Sequence, residues 1–380
     1  MRPIHTFLLN EMAAQGGRIP FCRFMEAALY HPDHGYYMTQ RPRIGRGGDF
    51  VTAPELTSLF GELLALQIIE VWETLGRPQP FTVVEMGGGT GRLAADVLTT
   101  CRRFPFFLEA LSYVLVETSP DFRVRQEQLL RECGFGTERI TWRSDLPGQV
   151  GDGVIFGNEF LDALPVHWVE MTPEGLREVA VEADGEGRLA TRLIAPQPPL
   201  EGDYFQRAGI DLEAGYRTEV AIPAARWVQA AAGALGRGLL LLIDYGYPAG
   251  EYYASWRSAG TLVGHRGHER VDDPLLFCGE MDLTAHVDFS AMTRAGREAG
   301  LELLGYTTQN WFLMGLGILE RLERVGGKMA PEASSRLRGA VMRLLMPNEM
   351  GERFKALAMG RGMKEGTLAG FRLNDQRQRL

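Results

Sequence analysis

The most regular pattern along the chain is an alternation of short apolar runs with stretches of helical periodicity. Four apolar runs predict strands, at residues 82–86, 113–117, 140–142 and 153–157. Helical periodicity follows the first and second runs, at residues 93–101 and 122–133. A helix at 223–235 and a strand at 239–244 continue the pattern later in the chain. Uninterrupted apolar strands that alternate with helices predict an α/β fold, a mostly parallel sheet with helices on both faces.

The segments that flank this core have different patterns. Thr52 and Glu55 fit a capping box, in which each side chain bonds to the backbone of the other, and a helical pattern continues from there to Gly76. Residues 166–194 alternate between apolar and polar positions as antiparallel strands do. We therefore predict a helical N-terminal cap (1–78), a core (79–310) with a β-rich insertion at about 166–222, and a helical C-terminal region (311–380).

The most informative stretch is a glycine-rich turn between the first strand and the first helix of the core. Gly87, Gly89 and Gly91 form a G-x-G-x-G pattern, and Glu85 lies two residues before it. Glycines allow a tight turn and a close approach of the backbone to a ligand. The dinucleotide fingerprint has its third glycine one residue later, where this chain has Arg92, so a nicotinamide dehydrogenase is disfavoured. The acidic residue and the glycine spacing instead predict a turn around the amino-acid end of S-adenosylmethionine.

Two further acidic residues extend this predicted cofactor site. Glu117 ends the second predicted strand, where a carboxylate can accept hydrogen bonds from both hydroxyls of a ribose. This feature is common to nicotinamide and S-adenosylmethionine sites and does not distinguish them. Asp145 follows the third predicted strand and is a candidate for contact with the adenine amino group.

An acidic loop follows the fourth predicted strand, at residues 158–165. Glu159 and Asp162 are three residues apart, so we expect both carboxylates on one face of a helical turn. Such a pair suits a guanidinium, which it can orient through bidentate hydrogen bonds. Methyl transfer is an in-line displacement in which positioning should matter more than acid–base chemistry. The alternative interpretation is a helix N-terminus where acidic residues are favoured by the dipole.

These motifs together resemble the MidA-like family of class I S-adenosylmethionine-dependent methyltransferases, whose mitochondrial members are arginine methyltransferases that act in respiratory complex I assembly. The resemblance covers most of the chain. It is carried by the glycine loop and by the segments at residues 28–37, 45–55, 116–117, 158–165, 243–246, 282–289, 309–313 and 315–317.

The resemblance implies a Rossmann-like sheet that binds S-adenosylmethionine and releases S-adenosylhomocysteine. It assigns the glycines and Glu117 to the cofactor, and Asn158, Glu159 and Asp162 to the catalytic end of the site. It also implies a protein substrate, with a respiratory complex I subunit as a candidate. Two alternatives remain from the sequence: a cofactor-binding assembly factor without turnover, and a methyltransferase of small molecules.

Composition limits the remaining classes of function. The net charge of −8 argues against non-specific binding to nucleic acid or to an anionic membrane. No apolar run approaches the roughly 18 residues of a membrane span, and no targeting segment is evident. The four cysteines are scattered without metal-site spacing, as reduced thiols are. We therefore expect a cytoplasmic protein. A metal motif would need a spacing that is absent from the group of His265, His268, Glu269, His286 and Asp288, so no metal is expected.

Residues 45–48 are predicted to form a lid over the cofactor that orders Asp49.

Overall fold

The computed structural model describes residues 2–39, 52–136, 138–267, 269–364 and 366–380. The predicted lid at residues 45–48, with Asp49, lies outside the described residues, and so does His268.

The N-terminal segment is mainly helical. Its elements are α1 (Pro3–Ala14), β1 (Arg18–Pro20), α2 (Phe21–Tyr30), α3 (Ala53–Leu56) and α4 (Leu59–Thr74). The predicted capping box was wrong: Thr52 precedes α3, but its side chain makes no capping hydrogen bond with the described residues. Glu55 instead accepts a hydrogen bond of 2.6 Å from the hydroxyl of Thr90 in the glycine loop. The predicted single helix is divided because Thr57 is extended between α3 and α4.

The first half of the core alternates strands and helices as expected. Its elements are β2 (Phe81–Met86), α5 (Arg92–Cys101), α6 (Pro105–Ala110), β3 (Leu111–Val116), α7 (Pro120–Glu132), β4 (Ile140–Arg143) and β5 (Gly151–Asn158). An insertion follows, with β6 (His167–Thr172), β7 (Gly175–Ala183), β8 (Leu189–Ile194), α8 (Tyr204–Arg207) and β9 (Arg217–Val220). Its strands pair antiparallel, and β1 joins them as an edge strand beside β7.

The remaining elements complete the core and the tail. They are α9 (Ile222–Ala234), β10 (Leu235–Tyr247), α10 (Ala249–Tyr252), β11 (Val263–Arg266), β12 (Glu269–Val271), β13 (Asp282–Thr284), β14 (Val287–Asp288), α11 (Phe289–Glu298), β15 (Glu302–Thr308), α12 (Gln309–Gly315), α13 (Ile318–Gly326), α14 (Pro331–Leu345) and β16 (Phe354–Arg361). Short helical turns lie at Ser255–Arg257, Pro347–Gly351, Ala369–Phe371 and Arg377–Arg379.

The central sheet has the order β15-β16-β10-β5-β2-β3-β4, and β14 pairs with β10. The strands from β10 to β4 are parallel, and β16 runs antiparallel to both of its neighbours. Helices cover both faces: one face buries α4, α5 and α12, and the other buries α9 and α11. The carboxyl ends of the parallel strands therefore meet at one edge, which is where ligands bind in such sheets.

The helical interpretation of the tail was incomplete, because β16 lies inside the central sheet. Residues 356–359, Ala-Leu-Ala-Met, are strong helix formers by intrinsic preference. Pairing with β10 and β15 overrides that preference and buries all four residues. The domain boundaries stay a prediction. Among the described residues, no helix combines the length and the apolar character needed to cross a membrane.

Candidate active site

A cavity of about 940 Å³ lies at the carboxyl ends of β2, β3, β5 and β10. Nearly all of the predicted site residues line it, namely Glu85, Gly87, Gly89, Glu117, Asp145, Asn158, Glu159 and Asp162. Gly91 is the exception and is not part of the cavity wall. The described side chains thus leave an open space where the sequence predicts a ligand, between the glycine loop and the acidic loop.

The glycine loop is a turn that only glycines form without strain. Gly87, Gly89 and Gly91 have φ angles of 63°, 51° and 82°, in the left-handed region. Gly91 caps the N-terminus of α5, and a Cβ there would lie 3.1 Å from the Cα of Gln126. Gly91 therefore allows α5 to pack closely on α7, while Gly87 and Gly89 face the cavity.

Glu85 is a buried carboxyl group inside β2, with only 2% of its surface exposed. It accepts a hydrogen bond of 2.5 Å from the hydroxyl of Tyr113 on the neighbouring strand. Burial raises the pKa of Glu85 to about 8, although the bond from Tyr113 acts in the opposite direction. Glu85 is thus largely protonated at neutral pH and forms the floor of the cavity beneath the glycine loop.

Glu117 lies one residue beyond the end of β3, and its carboxylate is fixed by two donors. Oε1 accepts from the backbone N–H of Ser119 at 2.9 Å, and Oε2 accepts from Nε2 of Gln126 at 3.1 Å. Burial raises the pKa of Glu117 to about 7, with these hydrogen bonds opposing the shift. The carboxylate therefore faces the cavity with its orientation set in advance, as an acceptor for ribose hydroxyls requires.

Gln126 is a site residue that the sequence analysis missed. Its Nε2 also donates to the carbonyl of Gly89 at 2.9 Å, so one amide joins the glycine loop to Glu117. Its Oε1 accepts from the indole N–H of Trp142 at 3.1 Å. The available signal was a polar residue at helical spacing between Phe122 and Leu130, on the apolar face of the predicted helix, and it was overlooked.

Asp145 follows β4 and lines the cavity on the side of Glu117. Its Oδ2 accepts a hydrogen bond of 2.7 Å from the hydroxyl of Ser144. The residue is exposed, so its carboxylate is available to a ligand but is less rigidly held than that of Glu117. The contact of Asp145 with adenine stays a prediction.

The acidic loop does not form the helical turn that we expected. Residues 159–166 contain turns and bends, and Glu159 has a φ of 52°, a left-handed conformation that is uncommon for a residue with a side chain. The shared-face argument for Glu159 and Asp162 was therefore wrong in its geometry. Both side chains nevertheless reach the same cavity, because the loop is bent by contacts from outside it.

Asp244 supplies these contacts, and the sequence analysis did not assign it to the site. Its Oδ2 accepts from the backbone N–H groups of Phe160, Leu161 and Asp162 at 3.1, 2.9 and 3.3 Å. It is 1% exposed and ends the apolar part of β10. Burial and the nearby carboxylates of Asp162 and Glu159 raise its pKa. An acidic residue at the end of an apolar strand was the signal that could have identified it.

Asp162 of the acidic loop is buried and Glu159 is half-buried. Glu159 accepts from the backbone N–H of Ala53 and from Nδ2 of Asn158, each at 3.1 Å, and burial raises its pKa to about 8. Burial raises the pKa of Asp162 to about 6, opposed by a hydrogen bond from Tyr245. Oδ1 of Asn158 and Oδ1 of Asp162 are buried without a hydrogen-bond partner among the described residues. Orphaned buried acceptors mark a place where a ligand donor is missing.

Aromatic residues complete the wall opposite the glycine loop. The rings of Tyr30 and Tyr37 are stacked with centroids 5.5 Å apart. Their hydroxyls donate to the carbonyl of Ala163 at 2.9 Å and to Oδ1 of Asp282 at 2.7 Å. The N-terminal segment therefore closes the acidic end of the cavity, which gives this end a planar aromatic surface beside carboxylates.

The residues present fit a sulfonium nucleoside better than a metal ion. The backbone of Gly87 and Gly89 is open to the cavity, Glu117 is oriented as an acceptor, and the loop beyond holds orphaned acceptors. Among the described parts of the chain, no group of three or more His, Cys, Asp or Glu side chains is arranged to hold a metal.

Comparisons with known proteins agree with this geometry. Residues 63–307 match the model of a family described as "Putative S-adenosyl-L-methionine-dependent methyltransferase". The chain is 32% identical to "Protein arginine methyltransferase NDUFAF7, mitochondrial" of Mus musculus, over 90% of this chain and 81% of the relative. It is 32% identical to the Drosophila melanogaster homologue, over 94% of this chain and 86% of the relative.

A solved structure matches nearly the whole chain. It is a protein from Burkholderia thailandensis bound to S-adenosyl-homocysteine, 37% identical, with a TM-score of 0.90 over 99% of this chain and 96% of the other. This match confirms the predicted fold class, an α/β architecture of the Rossmann-like methyltransferase type.

Proposed function

Because the chain belongs to the family of S-adenosylmethionine-dependent methyltransferases, we propose that it methylates the guanidinium of an arginine residue in a protein substrate. The family confirms the expected enzyme class and cofactor. The observation that carries the arginine proposal is the pair of carboxyl groups that line one end of the cavity, the half-buried Glu159 and the buried Asp162, which accept no hydrogen bond from a basic side chain of the described residues. The names of the mouse and fly relatives support the same acceptor.

We assign the cofactor to the end of the cavity that the glycine loop lines. We assign the backbone of Gly87 and Gly89 to the amino-acid end of the cofactor, Glu117 to its ribose and Asp145 to its adenine. Glu85 and Gly91 act through the turn, the first as its floor and the second as the cap of α5. When bound, S-adenosylmethionine supplies an electrophilic methyl group on a sulfonium centre.

The acidic loop binds the acceptor and removes its proton. The carboxylates of Glu159 and Asp162 accept hydrogen bonds from guanidinium N–H groups, which fixes the plane of the acceptor and localises its positive charge. The nitrogen that gains a methyl group loses a proton, and an Oε of Glu159 takes it. Burial raises the pKa of Glu159 to about 8, and a bound guanidinium lowers it again, so the carboxylate is the form that faces the acceptor. Asn158 orients Glu159 through the bond to Oε1. The buried surroundings exclude water, which strengthens these interactions.

The test is methyl transfer into the proteins of a cell in which the gene has been deleted. The purified enzyme and S-[methyl-³H]adenosylmethionine are added to lysate, and labelled proteins are hydrolysed and separated for methylarginine. We expect a labelled band that contains methylarginine, with Glu159→Gln reducing the label at least about 100-fold. The matched control Glu174→Gln changes an exposed turn residue and should leave the label unchanged.

The outcomes separate the alternatives. Label in another amino acid, or Glu159→Gln with normal turnover, would refute the arginine assignment. Cofactor binding by calorimetry without any labelled protein would favour an assembly factor, and label confined to the small-molecule fraction would favour a small-molecule methyltransferase. A respiratory complex I subunit is the first band to examine, since the family resemblance implies that partner. We propose the cytoplasm as the compartment, because all four cysteines are free thiols.

A further inference from the structure

The end of the cavity beyond the acidic loop carries positive charge. Arg353 lines this end, together with Tyr247 and His286. The guanidinium carbon of Arg257 lies 4.1 Å from the centroid of the Tyr247 ring, and Nζ of Lys355 lies 5.4 Å from the same centroid. Two cationic side chains therefore lie against one tyrosine of the cavity wall, and Arg353 lines the same cavity.

These cations form no salt bridge with a carboxylate of the described structure, although the charge of Glu352 acts on Lys355. Neither arginine forms a salt bridge with a described carboxylate, and Lys355 donates only to the backbone carbonyls of Glu352 and Arg353. Lys355 is 4% exposed, and burial lowers its pKa to about 8. Burial of a cation without a counter-charge is costly, so this arrangement favours an anion supplied from outside the described chain.

His286 lies among these cations as a neutral side chain and adds no charge to the cluster. Its ring lies 5.3 Å from Tyr247 and 5.0 Å from Tyr245, measured between centroids. Burial lowers its pKa to about 4, and the charges of Arg257, Lys355 and Arg353 act in the same direction. The imidazole is therefore neutral at pH 7, and its Nδ1 has no hydrogen-bond partner among the described residues.

The acidic and basic ends of the cavity are connected by a series of three ring side chains. Tyr245 is hydrogen-bonded to Asp162 at the acidic end and contacts His286 on its other side. His286 in turn contacts Tyr247, on which Arg257 lies. One elongated ligand can therefore place a cation between Glu159 and Asp162 and an anion beside Arg353.

We propose that Arg353, which lines the cavity near the two cations on the Tyr247 ring, binds a carboxylate of the substrate protein, so that the enzyme selects arginines with an acidic residue nearby. This inference rests on the proposed function and specifies the substrate class for the same cavity. The two charged ends are separated by the widths of two or three rings, on the order of 12 Å, which an extended chain covers in about four residues. The preferred acceptor is thus a segment with Asp or Glu within about four residues of the arginine.

The experiment uses short peptides and the full chain loaded with S-adenosylhomocysteine. Isothermal titration at low salt compares acetyl-Gly-Arg-Gly-Gly-Glu-Gly-amide with the same peptide carrying Gln in place of Glu. We expect the Glu peptide to bind about fivefold more tightly, and this preference to disappear in Arg353→Gln. Arg336→Gln is the matched control, because Arg336 is an exposed arginine on α14 that does not line the cavity, and this variant should retain the preference.

Equal binding of the two peptides, a preference that survives Arg353→Gln, or no binding of the Glu peptide at about 5 mM would each overturn the proposal. A third peptide, with Lys in place of Arg, separates this result from the proposed function. If the Lys peptide binds as well as the Arg peptide while the preference for Glu persists, the arginine assignment fails and the carboxylate site stands. Arg353 is exposed, so melting temperatures should confirm that Arg353→Gln is folded.

Discussion

The two loops that form the cavity are stabilised in different ways. The glycine loop is fixed by a nearby part of the chain: Gln126 on α7 reaches back 37 residues to Gly89 and 9 residues to Glu117. The acidic loop is fixed from far away in the chain, by Asp244 more than 80 residues later and by Ala53, 106 residues earlier. The cofactor end is therefore local in sequence, whereas the acceptor end depends on the folding of the whole chain.

This difference suggests a division of roles. A locally fixed turn can bind the same cofactor in many proteins, since it needs little support from the rest of the fold. A loop held by distant elements can change its shape when those elements change, so the acceptor can differ between relatives that share a cofactor. We expect substitutions in the two regions to separate cofactor binding from methyl transfer.

Asp244→Asn is expected to give the largest difference between the loss of methyl transfer and the loss of cofactor binding. Asparagine has only one acceptor oxygen, so it loses either the acceptor for three consecutive N–H groups of the acidic loop or the acceptor for the N–H of Tyr245. A displacement of about 1 Å at Glu159 should lower kcat about 100-fold. The dissociation constant for S-adenosylhomocysteine, measured by calorimetry, should stay within about threefold of the wild-type value.

Asp211→Asn is the control for this prediction, since Asp211 is exposed in the insertion. If Asp244→Asn weakened cofactor binding as much as it slowed transfer, the two regions would not be independent and the comparison would fail. Asp244→Ala is less informative, because three buried N–H groups without an acceptor could unfold the loop altogether.

Glu85→Gln tests how the buried carboxyl group beneath the glycine loop changes the free energy of unfolding with pH. The folded-state pKa of Glu85, about 8, lies above its ordinary value, so the folded protein binds more protons between pH 4.5 and 8. The contribution of this group to stability is thus greatest at low pH and is lost as the pH rises through that window. Glutamine can still accept from Tyr113 without charge, so the variant should lose less stability on going from pH 5 to pH 9, by on the order of 2 kcal/mol.

Urea denaturation at several pH values measures this effect, with Glu174→Gln as the exposed control. Parallel pH profiles for the wild type and Glu85→Gln would show that Glu85 is already ionised at pH 5. Other buried acids, including Glu159 and Glu117, contribute slopes of the same sign, so the comparison between variants is the relevant quantity.

The same contrast explains what could be predicted from the sequence. The strands, the glycine loop and Glu117 could be identified because periodicity, glycine spacing and strand ends are local signals. The bend of the acidic loop could not, since it depends on Asp244 and on a left-handed Glu159 that no local pattern requires. Strand β16 was missed for a similar reason, because sheet pairing overrides the helix preference of its residues.

Gln126→Leu should have the opposite effect to Asp244→Asn, because it should weaken cofactor binding and leave methyl transfer nearly unchanged. Leucine fills a similar volume but removes the two donor contacts that join Gly89 to Glu117. Acceptors left without a donor cost about 1.4 kcal/mol, so the affinity for S-adenosylhomocysteine should fall about tenfold. At saturating cofactor, kcat should remain near the wild-type value. Gln128→Leu, an exposed change on the same helix, should leave both quantities unchanged, and a large loss of kcat in Gln126→Leu would contradict the separation.

The smallest expected change in cofactor affinity and kcat comes from the contacts through α3 that connect the glycine loop to the acidic loop. Thr90 in the glycine loop donates a hydrogen bond of 2.6 Å to Glu55 in α3, and Ala53 at the start of the same helix donates to Glu159. Thr90→Val and Glu55→Gln should each change cofactor affinity and kcat by about threefold. Measured in a double-mutant cycle, the two changes should be non-additive, because either one weakens the same link. Additive effects on kcat would mean that α3 transmits nothing between the loops, and the cofactor and acceptor ends would then be independent sites that merely share a cavity.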